Sequence, residues 1–413
     1  MAITIQVEEV GSRVVNSRRT ATRIGNKTLI SPFYGTLMKR RYELEDVVYK
    51  SAESLSNPQI LVMKLYDCKD IILNAETRSR MRNLEGKRLD QVYVDLRANK
   101  IWLVDAVPDE YYYTKGKDNV LLKFKGFSES TKDIMRELNP KTHVKIWKRL
   151  YDNKTRLLGL IKEIVNAEAE GKPDVITAPS PLLTVTDPGY MTDIWYEVVK
   201  TTAVYAATNL DKPSTISINV HKNIFGDRRR LDLILKKLRD ETTEIEIGNI
   251  RLITLKILMD DTDLQNETGI AKDNYRYFIL GLSDYAKITK RLLVLLNINS
   301  LGLASIALGA DGFAEPMDGH LGLFGRSSTI RRGARYNADA LRSYPYDDWV
   351  RINPAYASMT DDEWKLDKRL HLLKERDGEI QECHKAIIDK TIYIGTKAKI
   401  ARSEVKNYID IVK

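Results

Sequence analysis

The sequence predicts an α/β fold, a TIM-like (β/α)8 barrel over residues 1–345 with a helical C-terminal extension over residues 346–413. Eight short apolar runs bounded by turn residues recur along the first part, and stretches with helical spacing separate most of them. This alternation favours parallel strands, because a parallel pair needs a long crossover connection. Eight such units favour a closed barrel. An open doubly wound sheet is the structural alternative.

The candidate strands are apolar runs that stop at turn-forming or polar residues. KIWLVDAV (100–107) is predicted to add an extra strand that pairs with the third run as a hairpin. Together the runs account for one complete barrel. The eight runs assigned to it lie near 27–35, 59–66, 91–96, 174–179, 214–221, 250–259, 292–298 and 310–316.

Helical spacing fills most of the intervals between the strands. Pro140 divides the stretch 128–170 into two helices, because proline lacks the amide donor and clashes with the preceding turn. Thr142 is a candidate cap for the second of these helices. The predicted helices lie at 69–83, 128–170, 190–208, 227–241, 271–291, 300–309, 361–390 and 396–412.

Composition limits the class of protein. Of the 413 residues, 43% are apolar and 30% charged, which is typical of a globular protein. Cys68 and Cys383 are the only cysteines, which excludes a disulfide framework and a four-cysteine zinc site. No run reaches the roughly 18 apolar residues of a membrane span, and the N-terminus does not resemble a secretory signal. We therefore expect a cytoplasmic protein with no membrane partner.

The formal net charge is +9, which favours an anionic partner such as nucleic acid. The alternative is that the basic charge serves solubility only. The chain has no P-loop motif, no GxGxxG fingerprint and no HExxH motif. The sequence therefore identifies no cofactor and no metal site.

In a barrel, active sites lie at the carboxyl ends of the strands, so polar residues there are candidates. His221 is a candidate proton shuttle, and carboxylates at the same edge are candidates for general base, nucleophile or metal ligand. Asp95 lies within an apolar strand, where an unpaired carboxylate is costly. Each residue also has a structural interpretation as a cap, turn or core group. The candidate catalytic residues are Asp95, His221, Asp260, Asp261, Asp311 and Glu315.

Two arginine clusters are candidates for phosphate or nucleic-acid binding, because the planar guanidinium matches phosphate oxygens. The first stands at a predicted helix start, and the second follows the last strand, where barrels often bind phosphate. A solvated surface is the alternative for both clusters. The residues are Arg228, Arg229 and Arg230 in the first cluster and Arg326, Arg331, Arg332 and Arg335 in the second.

The segment LLNINSLGLASIALGADGFAEPMDGH spans residues 295–320, RSSTIRRG spans 326–333 and QVYVDL spans 91–96. In order and spacing these segments resemble the last barrel turns and one aspartate-bearing strand of the tRNA-guanine transglycosylase superfamily. The resemblance implies that Asp95 holds the base or acts as acid–base, and that Glu315 or Asp311 acts as nucleophile. The family's nucleophilic aspartate falls on Ala314 here, and its cysteine-rich zinc site is missing.

The leading functional hypothesis is an enzyme that acts on nucleic acid or a nucleotide, in the manner of a divergent base-modifying transglycosylase. The first alternative is a non-catalytic nucleic-acid-binding or assembly subunit, with the C-terminal helices contacting another subunit or protein. The second is a metal-dependent phosphoester hydrolase that uses Asp260, Asp261 and His221 as ligands.

Overall fold

A computed structural model shows a mixed α/β fold in which parallel strands form the largest sheet. It describes nine stretches of chain that together carry the sheet and its surrounding helices. These are residues 6–8, 19–38, 59–65, 99–105, 127–139, 141–240, 250–258, 271–296 and 302–316.

A small antiparallel sheet precedes the main one. It consists of β1 (Gln6–Glu8), β2 (Arg19–Ile24) and β3 (Lys27–Ile30). Gly25 makes the turn between β2 and β3 at φ +60°, a conformation that glycine adopts at little cost. The buried side chains of Ile24 and Leu29 join an apolar cluster that strands of the main sheet also line, so the small sheet packs against the larger one.

The main sheet has eight parallel strands in the order β6-β5-β4-β11-β10-β9-β8-β7. Most of the strands are buried on both faces and are therefore continuous apolar runs. The strands are β4 (Phe33–Met38), β5 (Ile60–Lys64), β6 (Ile101–Asp105), β7 (Leu182–Leu183), β8 (Thr215–His221), β9 (Leu252–Leu258), β10 (Leu292–Leu296) and β11 (Gly312–Pro316).

Helices follow or precede most of these strands. Ser128 and Asn153 cap two of them by accepting the N–H groups of Thr131 and Arg156. The helices are α1 (Glu129–Glu137), α2 (His143–Asp152), α3 (Lys154–Glu170), α4 (Tyr190–Asn209), the 3-10 helix Lys222–Gly226, α5 (Arg228–Asp240), α6 (Lys272–Ile288) and α7 (Gly302–Ala307).

The two faces of the sheet contribute to separate apolar cores. Ile216, Ile218 and Val220 of β8 pack with the helices in the larger core, which we call the outer core. Leu252 of β9 and Leu103 of β6 belong to a smaller cluster on the other face, the inner core. Because strand side chains alternate between faces, the remaining residues of each strand can be assigned to one core or the other.

The prediction of a closed (β/α)8 barrel is wrong. The strand order begins at β6 and ends at β7, and within the described residues no ladder joins these two ends. Residues 174–178 lie between them and contact the sheet through isolated bridges, Leu103 with Val175 and Ile176 with Ser214. The structure is therefore a curled α/β sheet that no continuous ladder closes.

Side-chain carboxylates accept two backbone N–H groups where the ladder is interrupted. The Thr177 N–H donates to Glu168 Oε1 at 2.6 Å, and the Trp102 N–H donates to Asp174 Oδ2 at 2.7 Å. The same Asp174 carboxylate pairs with Lys27 Nζ at 2.7 Å. Each backbone N–H supplies one donor, so these two cannot also bond a neighbouring strand.

The structure confirms some of the other predicted strands and helices and corrects others. Strands are confirmed near 60, 214, 250, 292 and 311, and helices near 190, 227 and 271. β6 pairs with β5 in parallel, and the hairpin predicted for 100–107 stays a prediction because its partner run at 91–96 lies outside the described residues. The strand near 28 belongs to the small sheet, and β4 replaces it in the main one. The stretch 128–170 forms three helices where two were predicted.

Several predicted segments lie outside the described residues. They include the strand at 91–96, the helix at 69–83 and the whole C-terminal extension over 346–413. In the described part of the chain, no helix combines the length and apolar character needed to cross a bilayer.

Candidate functional site

Polar side chains occupy the inner face of β8 along its whole length, and Thr254 and Lys256 continue them on β9. On β8 the residues that alternate with the outer-core positions are Thr215, Ser217, Asn219 and His221, and all four are buried. Ligands of parallel α/β sheets bind at the carboxyl ends of the strands. We call this face, together with the adjoining ends of β6 and β9, the polar edge.

The centre of the polar edge is an ion pair between Lys256 of β9 and Asp105 of β6. Lys256 Nζ donates to Asp105 Oδ2, and each side chain is only 2% exposed. Four strands stand between β6 and β9 in the sheet order, so this contact exists because the sheet curls. Desolvating two charges costs free energy that their attraction often does not recover. Stability is therefore a weak explanation for the pair.

Hydroxyl groups extend the polar edge from Lys256 toward the strand beginnings. Thr254 Oγ1 donates to Ser217 Oγ at 3.2 Å, and Ser217 Oγ shares a hydrogen bond of 2.7 Å with Thr215 Oγ1. The Ala178 N–H donates to Thr215 Oγ1 at 3.3 Å. Because each hydroxyl group can both donate and accept, the hydrogen bonds among these three hydroxyls can reverse direction without being lost.

An amide and a histidine stand nearer the carboxyl end of β8. Asn219 Nδ2 donates to the Ser180 carbonyl at 3.1 Å. His221 Nδ1 accepts the Asn223 N–H at 3.3 Å, which leaves the ring hydrogen on Nε2 when the imidazole is neutral. The structure thus places His221 on the polar edge, and its role as a proton shuttle stays a prediction.

Glu168 of α3 is a buried acid close to this site. Its side chain is fully buried, Oε1 accepts the Thr177 N–H, and Oε2 has no hydrogen-bond partner among the described residues. Burial raises the pKa of the Glu168 carboxyl well above its usual value, and the negative charge of Asp105 raises it further. The hydrogen bonds from Thr177 and the positive charge of Lys212 lower that pKa by less than burial raises it.

The carboxylate of Asp311 has a structural partner. Asp311 is fully buried, and its Oδ2 accepts the Leu293 N–H at 2.8 Å, which ties the start of β11 to β10. Its backbone also bonds the Leu293 carbonyl and the Phe33 N–H. These contacts favour the structural interpretation, and the catalytic role of Asp311 stays a prediction.

We expect Asp311→Ala to lower the free energy of unfolding by about 1–3 kcal/mol, because the buried Leu293 N–H would lose its acceptor. Asp311→Asn should cost less, since an amide oxygen can still accept that hydrogen. Urea denaturation of both variants measures the difference. Equal losses for the two variants would show that the negative charge, rather than the acceptor, stabilises the fold.

The first arginine cluster begins α5, just after β8 and the 3-10 helix. The guanidinium of Arg228 lies 3.9 Å from the ring centroid of Tyr277, and Tyr277 donates its hydroxyl to Asp232. The Asp227 carboxylate accepts the Arg229 N–H at 3.0 Å and so caps the helix. Arg228 and Arg229 are exposed and Arg230 half-buried. The cluster therefore presents positive charge beyond the polar edge.

The structure does not describe the side chains of the remaining candidate residues. Glu315 lies in β11, next to Ala314, which lies in the inner core. Within the described residues, no group of three His, Cys, Asp or Glu side chains is arranged to hold a metal. The candidates outside the described residues are Asp95, Asp260, Asp261, Arg326, Arg331, Arg332 and Arg335.

Sequence reasoning missed Asp105, Lys256 and Glu168. A signal existed for the first two, because IWLVD and LITLKIL each carry one charged residue in an otherwise apolar strand. Such a residue is buried with the strand and needs a partner. Glu168 gave no such signal, since a glutamate near a helix end is ordinarily exposed.

Comparison with models of known protein families finds no match along the chain, and comparison with curated proteins likewise finds none.

Proposed function

We propose that this protein is an enzyme that acts on a nucleotide or nucleic acid, with its active site at the polar edge. The observation that carries the proposal is the buried Asp105–Lys256 ion pair, with Asp105 at the carboxyl end of β6 and with hydroxyl and amide groups of β8 and β9 on the same face. Strongly desolvated charge partners in such a place are typical of functional sites.

The pair offers complementary chemistry to a heterocyclic base. An ammonium group donates hydrogen bonds and a carboxylate accepts them, so the two together match a ring that presents an oxygen beside an N–H. The same groups can hold or release a proton during bond breaking. Asn219 and the hydroxyls of Ser217 and Thr254 supply further donors and acceptors on the same face.

Basic charge at the start of α5 supports a phosphate-bearing substrate. Arg228 and Arg229 follow the carboxyl end of β8, so they lie beyond that end of the sheet. The net charge of +9 agrees with an anionic partner. A transglycosylase-like reaction, with Asp95 and Glu315 in the roles that the resemblance implies, is the specific version of this proposal.

A salt titration of labelled single-stranded RNA and DNA tests the role of the arginines. We expect the wild type to bind, and Arg228→Ala/Arg229→Ala/Arg230→Ala to bind more weakly. The slope of log affinity against log salt should fall by roughly one for each phosphate that the variant no longer neutralises. A matched control is Lys236→Ala/Lys237→Ala/Arg239→Ala, which removes three charges from the other end of the same helix. Equal losses of affinity in both triple variants would contradict a specific site.

Product analysis then separates an enzyme from a binding subunit. The wild type and Asp105→Asn are incubated with RNA, DNA and nucleotides, and released or exchanged bases are detected by mass spectrometry. Products formed by the wild type and absent with Asp105→Asn, with binding retained, would support the enzyme. Binding without product in the wild type would favour the non-catalytic nucleic-acid-binding subunit.

A further inference from the structure

We propose that Ser214, Arg251 and Arg291 form a phosphate-binding site at the amino ends of three neighbouring strands, β8, β9 and β10. Each residue directly precedes the first residue of its strand, and we call the three residues the basic row. The polar edge belongs to the inner face of the sheet, whereas the basic row belongs to the outer face. The proposal therefore concerns a second site and does not depend on the proposed function.

The register of the strands places the members of the basic row side by side. Leu252 of β9 is paired with Thr215 of β8 and with Leu292 of β10, so the residues that precede these three are also neighbours. The Arg251 N–H donates to the Ser214 carbonyl at 3.4 Å, and the Arg251 carbonyl accepts the Leu292 N–H at 3.1 Å. Adjacent strands lie about 4.8 Å apart, which is the spacing expected between neighbouring members of the row.

Both arginines belong to the outer face of the sheet. Leu252 and Leu292 lie in the inner core, and successive side chains alternate between faces, so Arg251 and Arg291 lie on the opposite side. A contact with α6 agrees with this for Arg291, whose Nη1 donates to the Tyr285 hydroxyl at 3.1 Å and whose guanidinium carbon lies 5.7 Å from the Tyr285 ring centroid. Arg291 is buried, whereas Arg251 is half-buried and forms the side of the row that solvent reaches.

Two positive charges stand next to each other in the basic row. Like charges at paired positions of neighbouring strands destabilise a sheet. Burial lowers the pKa of Arg251, and the positive charge of Arg291 lowers it further. No carboxylate is among the described groups that act on the pKa of Arg251. A bound anion would offset the repulsion between the two guanidinium groups, so the pair favours an anionic ligand.

Ser214 supplies a hydrogen-bond donor beside the two arginines. Its side chain is fully buried, and its Oγ has no hydrogen-bond partner among the described residues. An unmade hydrogen bond at a buried hydroxyl costs free energy, which a ligand oxygen beside Arg251 would recover. A phosphate group carries up to about two negative charges at neutral pH, and its oxygens accept from hydroxyl groups and from planar guanidinium groups. It therefore matches the row better than a singly charged carboxylate.

Isothermal titration calorimetry with inorganic phosphate, at a constant ionic strength set with sodium chloride, tests the site directly. The titrations use the Arg228→Ala/Arg229→Ala/Arg230→Ala background, so that the first arginine cluster does not contribute. We expect this protein to bind phosphate, and the added change Arg251→Gln to weaken binding by about tenfold or more, because a charge-assisted hydrogen bond is lost. Arg239→Gln, at an exposed position of α5, is the matched control and should leave the affinity unchanged. Absence of binding, or an affinity that Arg251→Gln leaves unchanged, would overturn the proposal.

Ser214→Ala gives a second variant, which also serves if Arg251→Gln fails to fold. The hydroxyl that it removes has no described hydrogen-bond partner, so the fold should be retained. We expect the phosphate affinity to fall by about tenfold, because the hydroxyl no longer donates to the anion. Thr202→Val is the control, since it removes another buried hydroxyl without a described partner, on α4. Equal affinities of Ser214→Ala and Thr202→Val would contradict the site as proposed.

Titration with adenosine monophosphate in the same background identifies the source of the phosphate group. If it binds more tightly than inorganic phosphate, and Arg251→Gln weakens both, the ligand is a phosphomonoester. If it binds equally or more weakly, with the same dependence on Arg251, the ligand is free phosphate.

Urea denaturation of the same proteins separates a binding site from a structural pair. Without phosphate, Arg251→Gln should not raise the unfolding equilibrium constant, because it removes the repulsion from Arg291. At a phosphate concentration about ten times the dissociation constant, the unfolding equilibrium constant should fall about tenfold when Arg251 is present and stay nearly constant in Arg251→Gln. A variant that is less stable by the same amount with and without phosphate would overturn the site. Neither readout involves the polar edge, so failure here and failure of the proposed function are distinguishable.

Discussion

Lys256→Met is expected to lower the free energy of unfolding by about 3–5 kcal/mol, because Asp105 would remain buried with its charge uncompensated. Asp105→Asn should lower the free energy of unfolding by a similar amount, because the buried Lys256 ammonium would lose its opposite charge. The double variant Asp105→Leu/Lys256→Met should recover most of this loss, since replacing a buried pair by apolar groups is often neutral or stabilising. Urea denaturation of the three variants gives the interaction free energy as a double-mutant cycle.

The control for this prediction is a surface ion pair of the same kind. Lys148 and Asp152 pair across one turn of α2, with side chains 43% and 56% exposed. Lys148→Met should change the free energy of unfolding by less than about 1 kcal/mol, because solvent screens exposed pairs. If Lys256→Met were as mild as Lys148→Met, the buried pair would not carry the charges that the proposed active site requires.

The double variant also separates stability from function. Under the proposed function, a folded Asp105→Leu/Lys256→Met protein lacks the groups that bind the base, so product formation should disappear. Binding through Arg228 and Arg229 should persist, because these residues act on phosphates. Retained turnover in a folded double variant would place the chemistry elsewhere on the chain.

Trp195→Ala is expected to lower the free energy of unfolding by about 3–5 kcal/mol, the usual cost of truncating a large buried aromatic. Trp195 of α4 is fully buried in the outer core, and its Nε1 donates to the Ser217 carbonyl at 2.7 Å. Trp195→Phe should cost less, because it keeps most of the packing and loses mainly that hydrogen bond. Urea or thermal denaturation measures both changes.

Ser217 links the side chain of Trp195 to the candidate site. The backbone of Ser217 receives the indole N–H, and its hydroxyl belongs to the chain on the polar edge. Val204→Ala, at an exposed position of the same helix, is the control and should stay within about 0.5 kcal/mol of the wild type. Losses of similar size for Trp195→Ala and Val204→Ala would show that α4 does not anchor β8 through this residue.

Local sequence patterns were sufficient to predict most individual strands and helices. β8, β9 and β10 were predictable because each is a short apolar run buried on both faces, and α4, α5 and α6 because their apolar spacing is helical. Pairing was less predictable. The ladder described for β6 is parallel and joins it to β5, a strand that the predicted run at 91–96 separates from it along the chain.

Two carboxylates at the interruption of the ladder accept backbone N–H groups, and no local pattern reveals these contacts. The bonds from Glu168 and Asp174 to backbone N–H groups join residues 9 and 72 positions apart. A glutamate at the end of an amphipathic helix gives no indication that it will accept the Thr177 N–H. Counting strands and helices therefore predicted a closed barrel, whereas the strands at the two ends of the sheet are not joined by a ladder within the described residues.

The sequence by itself determined the α/β class, the positions of most strands and helices and the placement of His221 at the end of β8, because these follow from apolar periodicity within short windows. Only the tertiary structure decided that Asp105 meets Lys256 and that the buried Glu168 accepts the Thr177 N–H. Asp105 and Lys256 are 151 residues apart, and their contact requires the sheet to curl across four intervening strands. Side chains that far apart come together through the packing of the whole sheet, which no segment of the sequence specifies alone.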